Sequence, residues 1–207
     1  MDERDQDGDG EGGAAARRSV GARRNPASAE AILAAAGAVL AEGGYRGFTI
    51  EAVARRARAG KPTVYRWWPS RAALLLDVYH RQKREPEPDP AGTIEDELAG
   101  FLAHLLRFWR EGPAGDVFRA LVAEAQADVE ARAALAAYTG ERRRAFADLV
   151  ERRRATGEIA ADFDADLVWE AVVAFAWRRL LAFELGDDDE AAARRLVRLL
   201  AEGFRPR

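Results

Sequence analysis

The sequence predicts an all-α protein in which an N-terminal three-helix helix-turn-helix domain is joined to a C-terminal helical bundle. Apolar residues recur at helical spacing in successive segments, and capping residues, glycine or proline separate these segments. None of the segments shows the alternation of apolar and polar residues that is typical of a strand. With 207 residues and 48% hydrophobic composition, the chain is long enough for one or two domains with buried cores.

The first helix is predicted to follow a disordered tail, residues 1–24, which lacks apolar periodicity. Asn25 and Pro26 suit a helix start, whereas Gly43 and Gly44 are predicted to end the helix. Its buried stripe is predicted to consist of Ile32, Leu33, Ala36, Val39 and Leu40. The helix-turn-helix domain, including a linking helix, is predicted to begin here and to continue to residue 84.

A short break between the second and third helices predicts helix-turn-helix geometry. Thr49 is predicted to cap the second helix, IEAVARRA. The three residues 58–60 follow, and so short a connection forces the next helix to cross steeply. The third helix is predicted over residues 61–67, with Pro62 in its first turn. Ser70 is predicted to cap the fourth helix, RAALLLDVYHRQKR, which is long enough to link two domains.

Charge is distributed unevenly along the chain. Residues 43–84 hold ten Lys and Arg against two acids, a net charge of +8, whereas residues 85–207 carry −8 and residues 1–42 carry −3. A compact basic block attached to an acidic domain is typical of a module that binds polyanions. Nucleic acid is the polyanion that this pattern favours.

The predicted third helix has an apolar side and a polar side. Val64 and Trp68 lie four residues apart and are predicted to anchor a helix that is too short to persist alone. The side chains predicted to face outward are Lys61, Thr63, Tyr65, Arg66 and Trp67, and Trp67 suits the core equally well. Helix N-terminal N–H groups, cations and ring donors suit phosphate oxygens. These observations predict a surface that docks on DNA.

The stretch GGYRGFTIEAVARRARAGKPTVYRWWPSRAALL resembles the TetR (tetracycline-repressor-like) family of transcriptional regulators, over roughly residues 28–80. The resemblance implies that the third helix enters the major groove of double-stranded DNA. It also implies phosphate contacts by Thr49, Tyr65 and Arg71, with Lys61, Pro62 and Thr63 nearest the base edges.

Two positions depart from the pattern of this family. Arg58 stands where the turn usually carries a glycine, and Gly60 stands where a serine-like cap is usual. We therefore expect Arg58 to add a phosphate contact. We expect Gly60 to be a weaker cap that still lets the backbone approach DNA closely. Upstream, Arg17, Arg18, Arg23 and Arg24 fit either an arm that reaches the minor groove or a flexible tail.

The C-terminal half is predicted to be an effector-binding and dimerisation domain over residues 91–207. It follows the proline-rich segment EPEPDP at residues 85–90. Its helices are predicted over about residues 93–110, 114–128, 131–155, 164–185 and 188–203. The last two are unusually apolar, so we expect a two-fold homodimer through them, and the resemblance implies the same interface.

Aromatic residues of the bundle are candidates for a small-molecule site in a cleft between helices. Arg178 and Arg179 are conspicuous in the apolar stretch VVAFAWRRLLAF, because a buried guanidinium needs an acidic ligand, an acid across a dimer interface or solvent. His104 is predicted to be a hydrogen-bonding residue of the core or pocket. The candidate effector-binding residues are Phe101, His104, Phe108, Trp109, Phe118, Tyr138, Trp169, Phe175, Arg178 and Arg179.

Several function classes find no support in the sequence. The chain has no cysteine, and it lacks HExxH, glycine-rich phosphate-loop and GxSxG motifs, so we expect no enzyme, cofactor or metal site. No apolar run approaching the roughly 20 residues of a membrane span stands out, which predicts a cytoplasmic protein without membrane contact.

These observations predict a DNA-binding transcriptional regulator, a repressor that a small-molecule effector releases from a near-palindromic operator. Two alternatives remain open. The bundle of such a regulator could bind a protein partner or no ligand, or the chain could be an all-helical enzyme with a basic domain.

Overall fold

The computed structural model describes residues 26–84, 92–160 and 162–201. These residues form helices and no strand, so the all-α prediction is confirmed. The helices are α1 (Pro26–Gly47), α2 (Ile50–Arg56), α3 (Lys61–Trp67), α4 (Arg71–Lys83), α5 (Ile94–Arg110), α6 (Ala114–Ala127), α7 (Val129–Ala155), α8 (Ala165–Leu181) and α9 (Asp189–Ala201).

Side-chain caps begin most of these helices. At the start of α2, α4, α5, α7 and α8, a side-chain oxygen accepts a hydrogen bond from the backbone N–H group three residues ahead: Thr49, Ser70, Thr93, Asp128 and Asp164. At α5, the Asp96 carboxylate also accepts from the backbone N–H group of Thr93, which completes a capping box. Each cap contributes about 1 kcal/mol. The caps therefore help to set where the chain changes direction.

The helix boundaries differ from the predicted ones at three places. α1 continues to Gly47, but Gly44 is non-helical with φ 58°, so the helix is interrupted at the predicted position. α7 begins at Val129, two residues earlier than predicted, because Asp128 caps it. α8 ends at Leu181 rather than near residue 185, since Phe183 has a left-handed φ of 59° that terminates the helix.

The buried apolar residues form one continuous cluster that runs from the N-terminal helices into the bundle. α4 joins the two parts, because it packs against α1 on one side and against α7 on the other. Its residues Leu74, Leu75, Val78 and Tyr79 are each at most 2% exposed. Full burial of one such side chain contributes about 1.5–3 kcal/mol. A movement of α4 is therefore transmitted to both parts.

Within the bundle, α5 packs against α6, α8 and α9, and α7 packs against α6 and α8. The predicted tail at residues 1–24 with its four arginines, and the predicted linker at residues 85–90, lie outside the described residues.

One helix of the described residues, α1, is long and apolar enough to cross a membrane by its length and composition. This differs from the sequence-based expectation that no such run exists. Core helices pass the same test, and α1 buries an apolar stripe against its neighbours: Ile32 is 1% exposed, Ala36 0% and Leu40 5%. The length of α1 is therefore weak evidence for a membrane span.

Candidate functional site

One side of α3 is held against the rest of the protein. Val64 is fully buried and Trp68 is 8% exposed, as their spacing predicts. Trp68 also donates its Nε1–H to Asp77 Oδ2 of α4, with an N···O distance of 2.9 Å. A helix of seven residues is not stable alone in water. These contacts therefore fix the orientation of α3.

The opposite side of α3 faces solvent. Its exposed residues are Lys61, Pro62, Tyr65 and Arg66, and its half-buried residues are Thr63 and Trp67. Tyr65 is 48% exposed. The two predicted sides of α3 are therefore confirmed, and the predicted base-reading residues share the solvent-facing side. Their contact with DNA stays a prediction.

The turn before α3 contains both positions that depart from the family pattern. Arg58 has φ 52°, a left-handed conformation that costs a side-chain-bearing residue about 1–2 kcal/mol and that glycine adopts freely. Gly60 caps α3 through its backbone only, since its carbonyl accepts from Thr63 N at 2.9 Å and it has no side-chain cap. The side chain of Arg58 is exposed, as a phosphate contact requires.

Lys61, at the start of α3, pairs with an acid of α2. Its Nζ lies 2.9 Å from Glu51 Oε1, and both side chains are more than half exposed, at 54% and 62%. The hydrogen bond with Lys61 lowers the pKa of Glu51, and the same bond raises the pKa of Lys61. Both groups are therefore charged at neutral pH. The ion pair with Glu51 therefore positions the ammonium group of Lys61, which is predicted to contact DNA.

Glu51→Gln is expected to strengthen duplex binding about three- to tenfold, because it frees Lys61 and removes a charge that repels phosphate. Fluorescence anisotropy of a labelled duplex over a salt series measures this, and the log–log salt slope should steepen by about one. Glu190→Gln is the matched control, since Glu190 pairs with Arg194 at 3.0 Å on the remote helix α9. An equal gain in both variants would attribute the effect to net charge alone.

Arg71, a predicted phosphate contact, lies in a junction between α4, α1 and α6. Its guanidinium forms an ion pair with Glu124 of α6 and donates to Tyr45 Oη at 2.9 Å and to the carbonyl of Phe48 at 3.3 Å. The guanidinium carbon lies 4.7 Å from the centroid of the Tyr45 ring, and the Tyr45 hydroxyl donates to Glu124. Arg71 is therefore engaged inside the protein.

The environment of this junction makes its two charges interdependent. Burial raises the pKa of the Glu124 carboxyl and lowers the pKa of the Arg71 guanidinium. Each group is thus costly to charge without the other. The junction therefore links α6 to Arg71, the residue of α4 that is predicted to contact a DNA phosphate.

Aromatic side chains of α4 to α8 line a cavity of about 50 Å³. The candidate effector residues that line it are Phe101, Trp109, Phe118, Tyr138 and Trp169. The lining is completed by seven residues that were not among the predicted effector residues: Tyr79, Lys83, Leu105, Thr139, Arg142, Val173 and Trp177. From the sequence, α4 was predicted only to link two domains. Helical spacing alone does not show which faces of α4 and α7 meet.

Two hydrogen bonds organise the core beside this cavity. Trp109 donates its Nε1–H to Tyr79 Oη at 2.6 Å, and burial raises the pKa of Tyr79, which therefore stays neutral. His104 Nε2 lies 2.6 Å from the carbonyl oxygen of Lys83, so this nitrogen donates. His104 thus has a hydrogen-bonding role at the end of α4. Phe108 packs edge to face on Tyr79, with ring centroids 5.4 Å apart.

Five of the ten candidate effector residues do not line the cavity: His104 and Phe108, which lie beside it, and Phe175, Arg178 and Arg179. Arg178 pairs with Glu184, and Arg179 pairs with Asp188 and Asp189 where α9 begins. The guanidinium of Arg179 lies 5.0 Å from the ring of Phe175. Arg178 and Arg179 therefore find their acidic partners a few residues ahead in the same chain, and neither they nor Phe175 lines the cavity.

Among the residues that the structure describes, no group of three or more His, Cys, Asp or Glu side chains could hold a metal ion.

An all-helical chain with a basic helix-turn-helix followed by a helical bundle has the architecture of a helix-turn-helix transcriptional regulator. Two family models match it. The model described as "Bacterial regulatory proteins, tetR family" matches residues 32–78, and that described as "Tetracyclin repressor-like, C-terminal domain" matches residues 88–200, more than half of the chain. The chain therefore belongs to the TetR family of transcriptional regulators.

Individual relatives agree with this assignment. The uncharacterized HTH-type transcriptional regulator YdeS of Bacillus subtilis (strain 168) is 28% identical over 164 residues, 78% of this chain and 82% of YdeS. The uncharacterized HTH-type regulator Mb1581 of Mycobacterium bovis is 43% identical over 68 residues, 32% of this chain and 34% of Mb1581. The crystal structure of the TetR family regulator SCO0332 superposes with a TM-score of 0.74 at 28% identity, covering 86% of this chain and 99% of that one.

Proposed function

We propose that this DNA-binding regulator is a homodimeric repressor that binds a near-palindromic operator and leaves it when a small-molecule effector binds the bundle. The carrying observation is the two-sided helix α3. Val64 and Trp68 fix the buried side of α3 against the rest of the protein. Lys61, Tyr65 and Arg66 lie on its other side, face solvent and belong to the basic segment 43–84. Residues 25–84 would form the reading head and residues 91–207 the regulatory part, in a cytoplasmic protein.

The exposed apolar residues of α8 and α9 support a dimer through these helices. Leu167 is 62% exposed, Leu181 is 41% exposed and Leu199 is 71% exposed. Single exposed apolar side chains are normal on a protein surface, whereas a contiguous apolar patch is typical of an interface. A two-fold dimer would place two copies of α3 about 34 Å apart, at successive major grooves.

The route from effector to operator would run through α4. One side of α4 lines the aromatic cavity with Tyr79 and Lys83, and its first residue, Arg71, is tied to Glu124. An effector that binds two conformations of the dimer with unequal affinity would change the separation between its two α3 helices.

The small volume of the cavity also favours a second candidate function, a regulator whose bundle binds a protein partner or no ligand.

The proposal is tested by sorting substitutions on α3 into two classes. Tyr65→Phe is expected to weaken binding to all duplexes by about 1 kcal/mol, since it removes one phosphate donor. Lys61→Ala and Thr63→Ala are expected to change which base is preferred, by about 1–3 kcal/mol at one position of each half-site. Selection from a random duplex library, followed by titration, measures both and gives the number of chains bound per operator.

Arg194→Ala on α9 is the matched control for loss of one positive charge. Uniform losses from all α3 variants, without any change of preferred base, would exclude base reading by α3. Binding of a single chain to an asymmetric site would exclude the two-fold arrangement.

A further inference from the structure

An open groove lies between α4 and α7, beside the C-terminal end of α3. Its volume is about 600 Å³, which is within the range of sites that hold drug-sized molecules. Trp67 and Trp68, at the end of α3, form one part of its lining. Apolar side chains of the two facing helices form its walls: Ala73, Leu76, Ala133, Ala134 and Ala137. The groove therefore has the room for a ring system that the aromatic cavity of about 50 Å³ lacks.

The charged groups of this groove are acidic. Asp77 is half-buried in its wall, and Glu130 and Glu141 are exposed at its rim. Among the lining residues in the part of the chain that the structure describes, none is Lys or Arg. Within the same described residues, neither glutamate forms an ion pair or a side-chain hydrogen bond. The groove thus combines apolar walls with negative charge that the protein leaves unbalanced.

From this lining we infer that the groove binds an organic cation, an apolar body of linked rings that carries one ammonium group. The apolar body packs between the alanines of α4 and α7, and the positive charge lies beside Asp77. The Asp77 carboxylate accepts one hydrogen bond from Trp68 Nε1, at 2.9 Å. A carboxylate offers about four lone-pair sites, so Asp77 keeps the capacity to bind the cation as well. Because charges attract more strongly where water is partly excluded, the groove selects cations over neutral molecules of the same shape.

The length of the groove sets the shape of this ligand. Glu130 and Glu141 lie on the same continuous helix, α7. At the helical rise per residue, they are about 16 Å apart along its axis. A rod of two aromatic rings joined by a short conjugated chain fits this length and remains within the field of both carboxylates.

The position of the groove connects the ligand to DNA binding. One side of the groove is formed by the end of α3, and the other side is formed by α7 of the bundle. The hydrogen bond between Trp68 and Asp77, which orients α3, joins two of its lining residues. A ligand in the groove therefore fixes the separation between α3 and α7. The binding site stands on the groove alone, whereas its role as the effector site rests on the proposed function.

Three fluorescent probes test the inference, because they share the diphenylhexatriene rod and differ in charge. The trimethylammonium derivative is a cation, the parent compound is neutral and the propionic acid derivative is an anion. The full-length protein should bind the cation at least about tenfold more tightly than the neutral probe, and it should bind the anion most weakly. Fluorescence titration measures the three affinities, and added salt should weaken the binding of the cation alone.

Glu130→Gln/Glu141→Gln removes both rim carboxylates and keeps the size of the side chains. This double variant should weaken cation binding about three- to tenfold and change binding of the neutral probe less than about twofold, since exposed charges act modestly one by one. The matched control is Glu111→Gln/Glu190→Gln, which makes the same change in net charge outside the groove. Glu111 pairs with Arg110 at 3.3 Å, and Glu190 pairs with Arg194 at 3.0 Å.

Asp77→Asn provides an independent second variant, because asparagine keeps an oxygen that accepts from Trp68. It should weaken cation binding about tenfold, since Asp77 is less exposed to solvent than the rim acids. Thermal unfolding verifies that the variant is folded. Equal affinity for the three probes, or equal losses in the two double variants, would overturn the inference.

Parallel titration of an operator duplex separates this inference from the proposed function. Release of DNA by the cationic probe, reduced in Glu130→Gln/Glu141→Gln, supports both. Carboxylate-dependent binding of the cation without DNA release supports the cation site and refutes its role as the effector site. DNA release by the neutral or the anionic probe alone refutes the cation class and leaves effector control standing. Failure of all three probes to bind refutes the cation site, while operator binding without a probe still tests the reading head.

The four arginines of segment 17–24 are the other cations of the chain that the charge of the groove would suit. Their replacement by glutamine should leave the affinity of the cationic probe unchanged. Binding of this probe only after the replacement would assign the groove to that segment and overturn the small-molecule assignment.

Discussion

Trp68→Ala is expected to lower the free energy of unfolding by about 3–5 kcal/mol and to abolish specific duplex binding. Trp68 is 8% exposed, and its indole fills the space between α3 and α4. Truncation leaves a cavity there and removes the hydrogen bond that Asp77 accepts at 2.9 Å. Since α3 has only seven residues, its position depends on such tertiary contacts. Urea unfolding and anisotropy titration measure the two effects.

Two matched variants separate packing from hydrogen bonding at this position. Trp68→Phe removes the indole N–H and keeps most of the apolar bulk, so its loss should be about 1–2 kcal/mol. Tyr65→Ala, on the exposed side of the same helix, should change the free energy of unfolding by less than about 1 kcal/mol while weakening DNA binding. Wild-type operator affinity in a folded Trp68→Ala protein would show that α3 does not depend on this anchor.

Much of the fold could be predicted because local signals and tertiary packing agree. Thr49 and Ser70 form the caps that their positions predict, and Val64 and Trp68 are buried at the spacing of four that a helix requires. The end of α8 was predicted less well. The apolar run continues past it, and the left-handed Phe183 that ends the helix is not a residue type that predicts a helix end.

The candidate sites were predicted unevenly for a physical reason. The outward face of α3 depends on one short helix, so periodicity within the chain was sufficient. The aromatic cavity depends on which faces of five helices meet, and Lys83 and Arg142 carry no local signal of burial. Arg71 was assigned to DNA by resemblance, but its ion pair with Glu124 joins residues far apart in sequence. From the sequence, Arg178 and Arg179 were assigned to the effector site. Their acidic partners in the structure, Glu184 and the acids at the start of α9, were not predicted as such.

Gly115→Ala is expected to lower the free energy of unfolding by about 1–3 kcal/mol, because a Cβ atom at this buried position has no space. It would lie 2.5 Å from the backbone oxygen of Trp109 and 3.3 Å from Leu180 Cδ1. The first contact is with backbone, which a rotamer change does not relieve, so α6 must shift away from α5. α6 also carries Phe118 of the cavity and Glu124 of the junction with Arg71. The same shift would therefore displace Phe118 and Glu124.

Gly100→Ala is the matched control, and its expected effect has the opposite sign. Gly100 lies within α5 on the exposed surface, and a Cβ atom there meets nothing within 4 Å. Alanine is favoured over glycine in a helix by about 0.5–1 kcal/mol, so this variant should be more stable than the wild type by that amount. Urea unfolding of both variants compares the same substitution in two helices. If Gly115→Ala also gained stability, the close approach of α6 to the end of α5 would be wrong, and the placement of Glu124 against Arg71 would lose its support.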